Sequence, residues 1–517
     1  MLCNYHAETN TTDNKSRTPI FHAIRAENET IIRLLLSDKR TDINWQDQDK
    51  QTPLLYAISR NLLSTVSLLL DFKPCLDKED GEQRSAIWYA IAHCDENLVQ
   101  ALLQRGSDVQ RQGSKRFSPI SLAIAKKNRK ITRMLLRHSD PSTGKSLLED
   151  GNVRESLLHR AVKADLKDII LLLVAHGANP NIRNEYHETL LHQAAGKGDR
   201  NMAQQLLVYK KTSVDARDSY GRTALHIAAE YGHKSITGLL LTRDDVDINA
   251  LDVNGATALC LAVQNGNTAI ALQILAEDNV KINVAGRDGR TALHSATVMG
   301  NIPIIAVLLA KDDLDPNMLD EEKWAPVTYA ASQGDLRMVE LFLGRADIEV
   351  NVQGAPPLFR AAIEGHLDVL RRLLCFDTIN INQTYRDESP LCAASAMGHL
   401  EVTKLLLRHT PPPNINFKTY MGRTALSLAA SGGHSHIVGL LLQEERLDVA
   451  ATDTFKETAL CHAARNGHEQ VVMHLYKDPR ARNGSDVQRA IEAASSLKIA
   501  LYLQAHVNEQ GSFCARP

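Results

Sequence analysis

The chain has 517 residues, with 59 Lys and Arg against 61 Asp and Glu, and its formal charge of −2 provides no overall field to attract nucleic acid or an anionic membrane. Aromatic residues make up only 5% of a chain that is 44% apolar, a balance suited to helices packed through Leu, Ala, Ile and Val. No apolar run is long enough to cross a bilayer, and Met1-Leu2-Cys3-Asn4-Tyr5-His6 lacks the apolar core of a signal peptide. The expected compartment is the nucleus or cytoplasm, not the exterior.

From the N-terminus, Thr18-Pro19-Ile20-Phe21-His22-Ala23 is echoed by Thr52-Pro53-Leu54-Leu55-Tyr56-Ala57. The same phase recurs at Ser85, Ser118, Ser156, Thr189, Thr223, Thr257, Thr291, Ala325, Pro356, Ser389, Thr424 and Thr458, in steps of 31 to 38 residues. Fourteen starts near one period identify a repeat architecture. In the clearest unit, Thr223 is a helix cap, the helix runs to about Tyr231, and Gly232 supplies the positive φ needed to leave it. His233 opens a second helix, predicted over Lys234 to Thr242, with Ile236 and Leu239 to Leu241 as its apolar stripe. Val246-Asp247-Ile248-Asn249 then leads into a turn closed by Asn254-Gly255. One such pair cannot bury both faces, so neighbouring units must stack into a continuous core.

The reading divides the chain into a tail (1–12), repeats 1–4 (13–138), an insert (139–154), repeats 5–14 (155–484), a degenerate capping repeat (485–507) and a C-terminal tail (508–517). The insert carries the 38-residue step, and a sub-boundary is expected there. The repeats leave only about the first 12 and last 10 residues unassigned, too few for a catalytic domain.

The segment Asp218 to His233 resembles the ankyrin repeat, including its T-P-L-H-x-A type signature with Ala224 in place of Pro. The resemblance runs from about Asp13 to about Val507, and its texture is like that of long fungal ankyrin arrays. It implies an all-α fold, an α-solenoid of about 14 ankyrin repeats (helix–turn–helix plus hairpin loops) with a degenerate C-terminal cap. It implies a non-catalytic protein–protein interaction scaffold, monomeric, with no cofactor, no metal, no direct nucleic-acid binding and no membrane attachment. Three roles are open: a nuclear transcription co-regulator docking on a transcription factor, a cytosolic adaptor or inhibitor, or the array of a larger signalling or channel protein.

Motifs that suggest chemistry are absorbed by the repeat. Gly144-Lys145-Ser146 lacks both the first glycine and the preceding strand of a phosphate loop. His468-Glu469 is followed by His474 six residues on, so the imidazoles do not share a helix face. The Gly-His pairs at His233, His366, His399, His434 and His468 belong to the repeat, as do His159, His192, His226 and His294 at the signature position. In ankyrin proteins the signature imidazole ties neighbouring hairpin loops together. Cys260, Cys392 and Cys461 share that position and read as packing groups; the eight cysteines contain no CxxC pair.

By the same resemblance, partners dock on hairpin tips and first helices. Tyr186, Tyr220, Trp324, Tyr385, Tyr420 and Phe455 fall at tips expected to face solvent, with Arg222, Glu230 and Tyr231 beside them. Aromatic side chains on a rigid scaffold are efficient binding anchors. Residues 105–145 carry eleven bases against two acids, and Lys115-Arg116 followed by Lys126-Lys127-Asn128-Arg129-Lys130 resembles a bipartite nuclear-import signal. A solvated basic helix face and a patch for an acidic partner remain open beside it.

Overall fold

The computed structural model describes residues 8–109, 118–138, 157–482 and 484–513. Fourteen helix pairs follow the phase read from the sequence, from Pro19–Arg25 with Glu29–Ser37 to Ala459–Arg465 with Glu469–Lys477, and a further pair, Gly484–Ala493 and Leu497–Phe513, comes after them. The chain is all-α. It forms two compact units, Met1–Ser219 and Tyr220–Pro517. The insert at 139–154 and the start at Ser156 lie outside the described residues.

Each helix pair has a local cause. Thr52 Oγ1 accepts from the Leu55 amide at 3.1 Å, Thr257 from Cys260 and Thr291 from His294, so the repeating Thr or Ser does act as a helix cap in these units. At Thr223 and Thr291 the signature histidine bonds back to the cap amide and closes a capping box. In the clearest repeat the helices are Ala224–Glu230 and Lys234–Leu241, and Gly232 leaves the first at φ 82°. The turn ahead of the next helix is built by Asp252, whose Oδ1 accepts from the Asn254 and Ala256 amides at 2.8 Å each.

Packing is set by one small residue. Five positions after every repeat start stands an alanine, from Ala23, Ala57 and Ala90 to Ala429 and Ala463, and all fourteen are buried. A methyl group there lets successive first helices approach closely, while Ile, Leu, Val and Phe of the second helices (Ile236 and Leu240, Val339 and Phe342) fill the layer behind. A second device runs along the far loops. Asn249 donates to Asn279 O at 2.8 Å and accepts from the Lys281 amide at 2.7 Å, joining its repeat to the next. Asn283, Asn317, Asn351 and Asn416 do the same in the second unit, and Asn10 and Asn181 in the first. The side-chain amide supplies both halves of a backbone-like pair, so these loop groups are satisfied without a strand.

Candidate protein-binding surface

In the second unit Tyr220 and Tyr231 are both exposed. Between them Arg222 pairs with Glu230 at 2.8 Å while its guanidinium lies 5.0 Å from the Tyr220 ring centre. The structure therefore brings these four predicted residues together. Tyr420 and Phe455 are exposed further along the same unit, and Tyr186 is exposed in the first unit.

Trp324 and Tyr385 are placed differently from the expectation. Both are only partly exposed. Arg360 lies over the Trp324 ring at 4.5 Å and Tyr329 packs 4.8 Å away. Tyr385 packs on Phe359 at 5.4 Å and is paired through its backbone with Glu388. Their rings serve neighbouring repeats, and this leaves Tyr186, Tyr220, Tyr420 and Phe455 as the open tip aromatics. Met299, Met397 and Met421 are exposed as well and were not singled out by an aromatic count. The repeat phase holds the signal that finds two of them: Tyr231, Met299 and Met397 each stand immediately before the glycine that ends a first helix.

The basic repeat of the first unit is partly neutralised. Arg129 pairs with Asp168 at 2.7 Å and Lys130 with Glu96 at 3.1 Å, whereas Lys126 and Lys127 are exposed. Lys115 and Arg116, like Gly144-Lys145-Ser146, lie outside the described residues.

The histidines are occupied by the scaffold. His226 bonds Ala256 O and His294 bonds Trp324 O, both at 3.2 Å, the loop-to-loop tie that the resemblance implied. Burial holds the His294 imidazole below its ordinary value, against the opposing effect of its bond to Trp324 O. His468 bonds Ser431 O and His474 bonds Ser435 O, two separate carbonyls. Cys260, Cys392 and Cys461 are buried, and burial raises the thiol pKa at Cys260 and Cys392. Asp453, Glu457 and His462 form one group with ligand atoms within 4.8 Å of one another. Its atoms already answer one another: His462 Nε2 meets Asp453 Oδ2 at 3.0 Å, Arg465 pairs with Glu457, and Asp453 Oδ1 accepts from the Phe455 and Glu457 amides at 2.9 Å. The group closes a hairpin turn onto its own helix.

Stacked helix pairs with capped hairpins and large exposed side chains at tips and helix ends define a repeat protein of the kind that presents a surface to other proteins. A model of ankyrin repeats (3 copies) matches residues 1–80, 36–113, 158–252, 239–320, 312–387 and 378–453. The chain belongs to the ankyrin-repeat family, and a repeat array of that family is a protein-interaction scaffold. It is similar to inversin from Canis lupus familiaris, 26% identical over 177 residues, 34% of this chain and 16% of that protein. It is similar also to rabankyrin-5 from Mus musculus, 28% identical over 167 residues, 31% of this chain and 14% of that protein. Neurogenic locus notch homolog protein 1 from Danio rerio matches at 28% over 116 residues, 22% of this chain and 5% of that protein. The match thus spans between 5% and 16% of the length of these relatives. No described helix is long and apolar enough to cross a membrane.

Proposed function

We propose that the protein is a non-catalytic adaptor that docks a protein partner on the tip and helix-end surface of its second unit. The observation that carries this reading is the exposure of Tyr220, Tyr231, Tyr420 and Phe455 on a scaffold whose other aromatic rings are largely packed. Large rings held on a rigid frame contribute contact area at little entropic cost, which is what an anchor residue requires. Tagged protein carrying Tyr220→Ala or Tyr420→Ala is expected to retain its thermal unfolding midpoint, because neither ring supports the core. Capture of the native partner is expected to weaken by about 1–2 kcal/mol or more per anchor. Undiminished capture by both variants rejects the docking surface.

A nuclear role is a second reading, supported by the exposed pair Lys126 and Lys127. Under it, Lys126→Ala with Lys127→Ala shifts a tagged chain out of the nucleus, and an unchanged distribution removes the reading. A co-regulator function docking on a transcription factor depends on that entry.

A further inference from the structure

Five repeats place an arginine immediately before the residue that starts the first helix: Arg17, Arg84, Arg222, Arg290 and Arg423. Four of them have a carboxylate. Arg17 reaches Asp47 of the next hairpin at 3.2 Å, and Arg290 reaches Asp320 in the same way at 3.6 Å. Arg84 takes Asp80 of its own hairpin at 2.8 Å, and Arg222 takes Glu230 at the end of its own helix at 2.8 Å.

At Arg423 all three sources fail. The own-hairpin position is Thr419, whose hydroxyl accepts from the Arg423 backbone amide at 3.2 Å. The helix-end position is Ser431. The next-hairpin position does hold an acid, Asp453, but its carboxylate is buried and given to His462 and two amides. Among the described residues no carboxylate pairs with Arg423, and its Nε is buried without a hydrogen-bond partner. A guanidinium cannot shed its charge, so a half-buried one without a partner is a standing demand for an anion.

Large apolar side chains are exposed on its own and the neighbouring hairpin and on the preceding repeat. Tyr420 and Met421, in the same hairpin, are 81% and 41% exposed; Phe455, in the next hairpin, is 68% exposed; and Met397, ending a first helix one repeat earlier, is 57% exposed. The Thr454 amide donates to Met421 O at 3.0 Å, which holds the two hairpins side by side. Stacked helices lie about 8–10 Å apart. An extended chain in the polyproline II conformation rises about 3.1 Å per residue and returns to the same face every three residues, so neighbouring tips are met by side chains about three residues apart.

We infer that this surface receives an extended peptide segment of a partner protein that carries an aspartate or glutamate between two large apolar side chains about three residues apart. The carboxylate sits on Arg423 and the apolar side chains lie against the Tyr420–Met421 and Phe455 tips. This deepens the docking reading and rests on it. Charge complementarity selects the partner: a carboxylate supplies the ion pair that the four counterpart arginines already make within their own scaffold.

The test uses the full chain and fluorescently labelled synthetic peptides of that pattern, each with a twin in which Gln or Asn replaces the acid. Anisotropy is expected to show the acidic peptides binding about tenfold or more tighter than their amide twins. Arg423→Gln is expected to abolish the difference, and Arg423→Glu to turn the preference toward lysine-centred peptides, both with an unchanged melting midpoint. Equal binding of acid and amide, discrimination that survives Arg423→Gln, or no binding of any acidic peptide at about 1 mM overturns the inference. The two readings fail separately. If Tyr420→Ala and Phe455→Ala weaken acid and amide peptides alike while charge makes no difference, the docking surface stands and the acidic partner falls. If those variants change neither peptide binding nor partner capture, both fall.

Discussion

The first five repeats and the eight repeats of the second unit leave their first helices by different means, and repeat 6 of the first unit, which exits on Gly198, sides with the second unit. In repeats 1–5 the left-handed exit residue is Glu27, Asn61, Cys94, Lys127 or Asp165, all at φ between 51° and 58°. From repeat 7 to repeat 14, in the second unit, it is always glycine, from Gly232 to Gly467. A side chain in that region is disfavoured by about 1–2 kcal/mol, less for Asn and Asp. The links between repeats differ in step. In the second unit the Nε2–H groups of His366, His399, His434 and His468 donate to a carbonyl of the preceding repeat, Ser332, Ile363, Ala396 and Ser431 respectively. Each ring lies so close over the preceding exit glycine that an added Cβ would collide with it, at 2.6 Å for Gly365 against His399. Glycine there serves twice, for the backbone turn and for the ring. In repeats 2–5 the same position holds Leu62, Asp95, Asn128 and Leu166, no imidazole crosses, and the exit residue keeps its side chain. At these four junctions a backbone conformation in one repeat is coupled to a side chain in the next; Gly266 and Gly300 exit with no such ring over them, and repeats 1–5 have neither half.

The sharpest way to break this comparison is Gly365→Ala. Strain at φ 80° and the collision with His399 act together, and a loss of about 2–3 kcal/mol is expected in urea unfolding of the second unit. The double variant Gly365→Ala with His399→Ala removes the collision but not the strain, so it is expected to be less destabilised than the sum of its parts. Strict additivity in that cycle would show that the ring and the glycine are independent.

The opposite change is expected to help the first unit. Lys127→Gly and Glu27→Gly each release left-handed strain, offset by the extra freedom glycine brings to the unfolded chain, for a net gain of about 0.5–1 kcal/mol apiece. Asn61→Gly is expected to gain less, because Asn tolerates this conformation. A loss of stability in Lys127→Gly would mean that the lysine stem makes a contact worth more than the strain.

Much of this was legible in advance because it repeats. Thr223, Gly232 and Asn254-Gly255 each announce a cap, an exit and a turn by their own chemistry, and fourteen copies fix the phase. The pattern places the boundaries of the clearest repeat within a residue: it predicts a second helix to Thr242, and that helix ends at Leu241. Three features were not legible. The bridging asparagines carry no mark of their role in Val246-Asp247-Ile248-Asn249, since a single repeat does not reveal that the amide spans to its neighbour. Trp324 and Tyr385 share the tip position with Tyr420, but whether a ring there is open depends on Arg360 in the next repeat or Phe359 in the preceding one, some thirty residues away. The isolation of Arg423 depends on three separate absences around it, and no pattern in its own hairpin shows them.

The smallest expected effect concerns pH and tests whether the loop-to-loop tie at the signature position carries stability. In the first three repeats that position is Phe21, Leu55 or Trp88; in repeats 7 and 9 it is a histidine bonded to the next hairpin. His294 is buried, and burial lowers its pKa; the groups facing it are Asp288, Asp320 and Arg290. Above its ordinary value near 6.5 the ring is neutral in both folded and unfolded chains, so it contributes no pH dependence there. As pH falls below that value the unfolded chain takes up a proton that the folded chain resists, so stability declines until the folded pKa is reached. The slope from one group is at most about 1.4 kcal/mol per pH unit. His294→Gln keeps a donor but does not titrate. Urea midpoints measured between pH 7.5 and pH 5 are expected to fall more steeply in the parent than in this variant. Parallel curves would mean that the buried imidazole takes up its proton as readily as a free one, and that its bond to Trp324 O, which favours the charged ring, offsets burial in full.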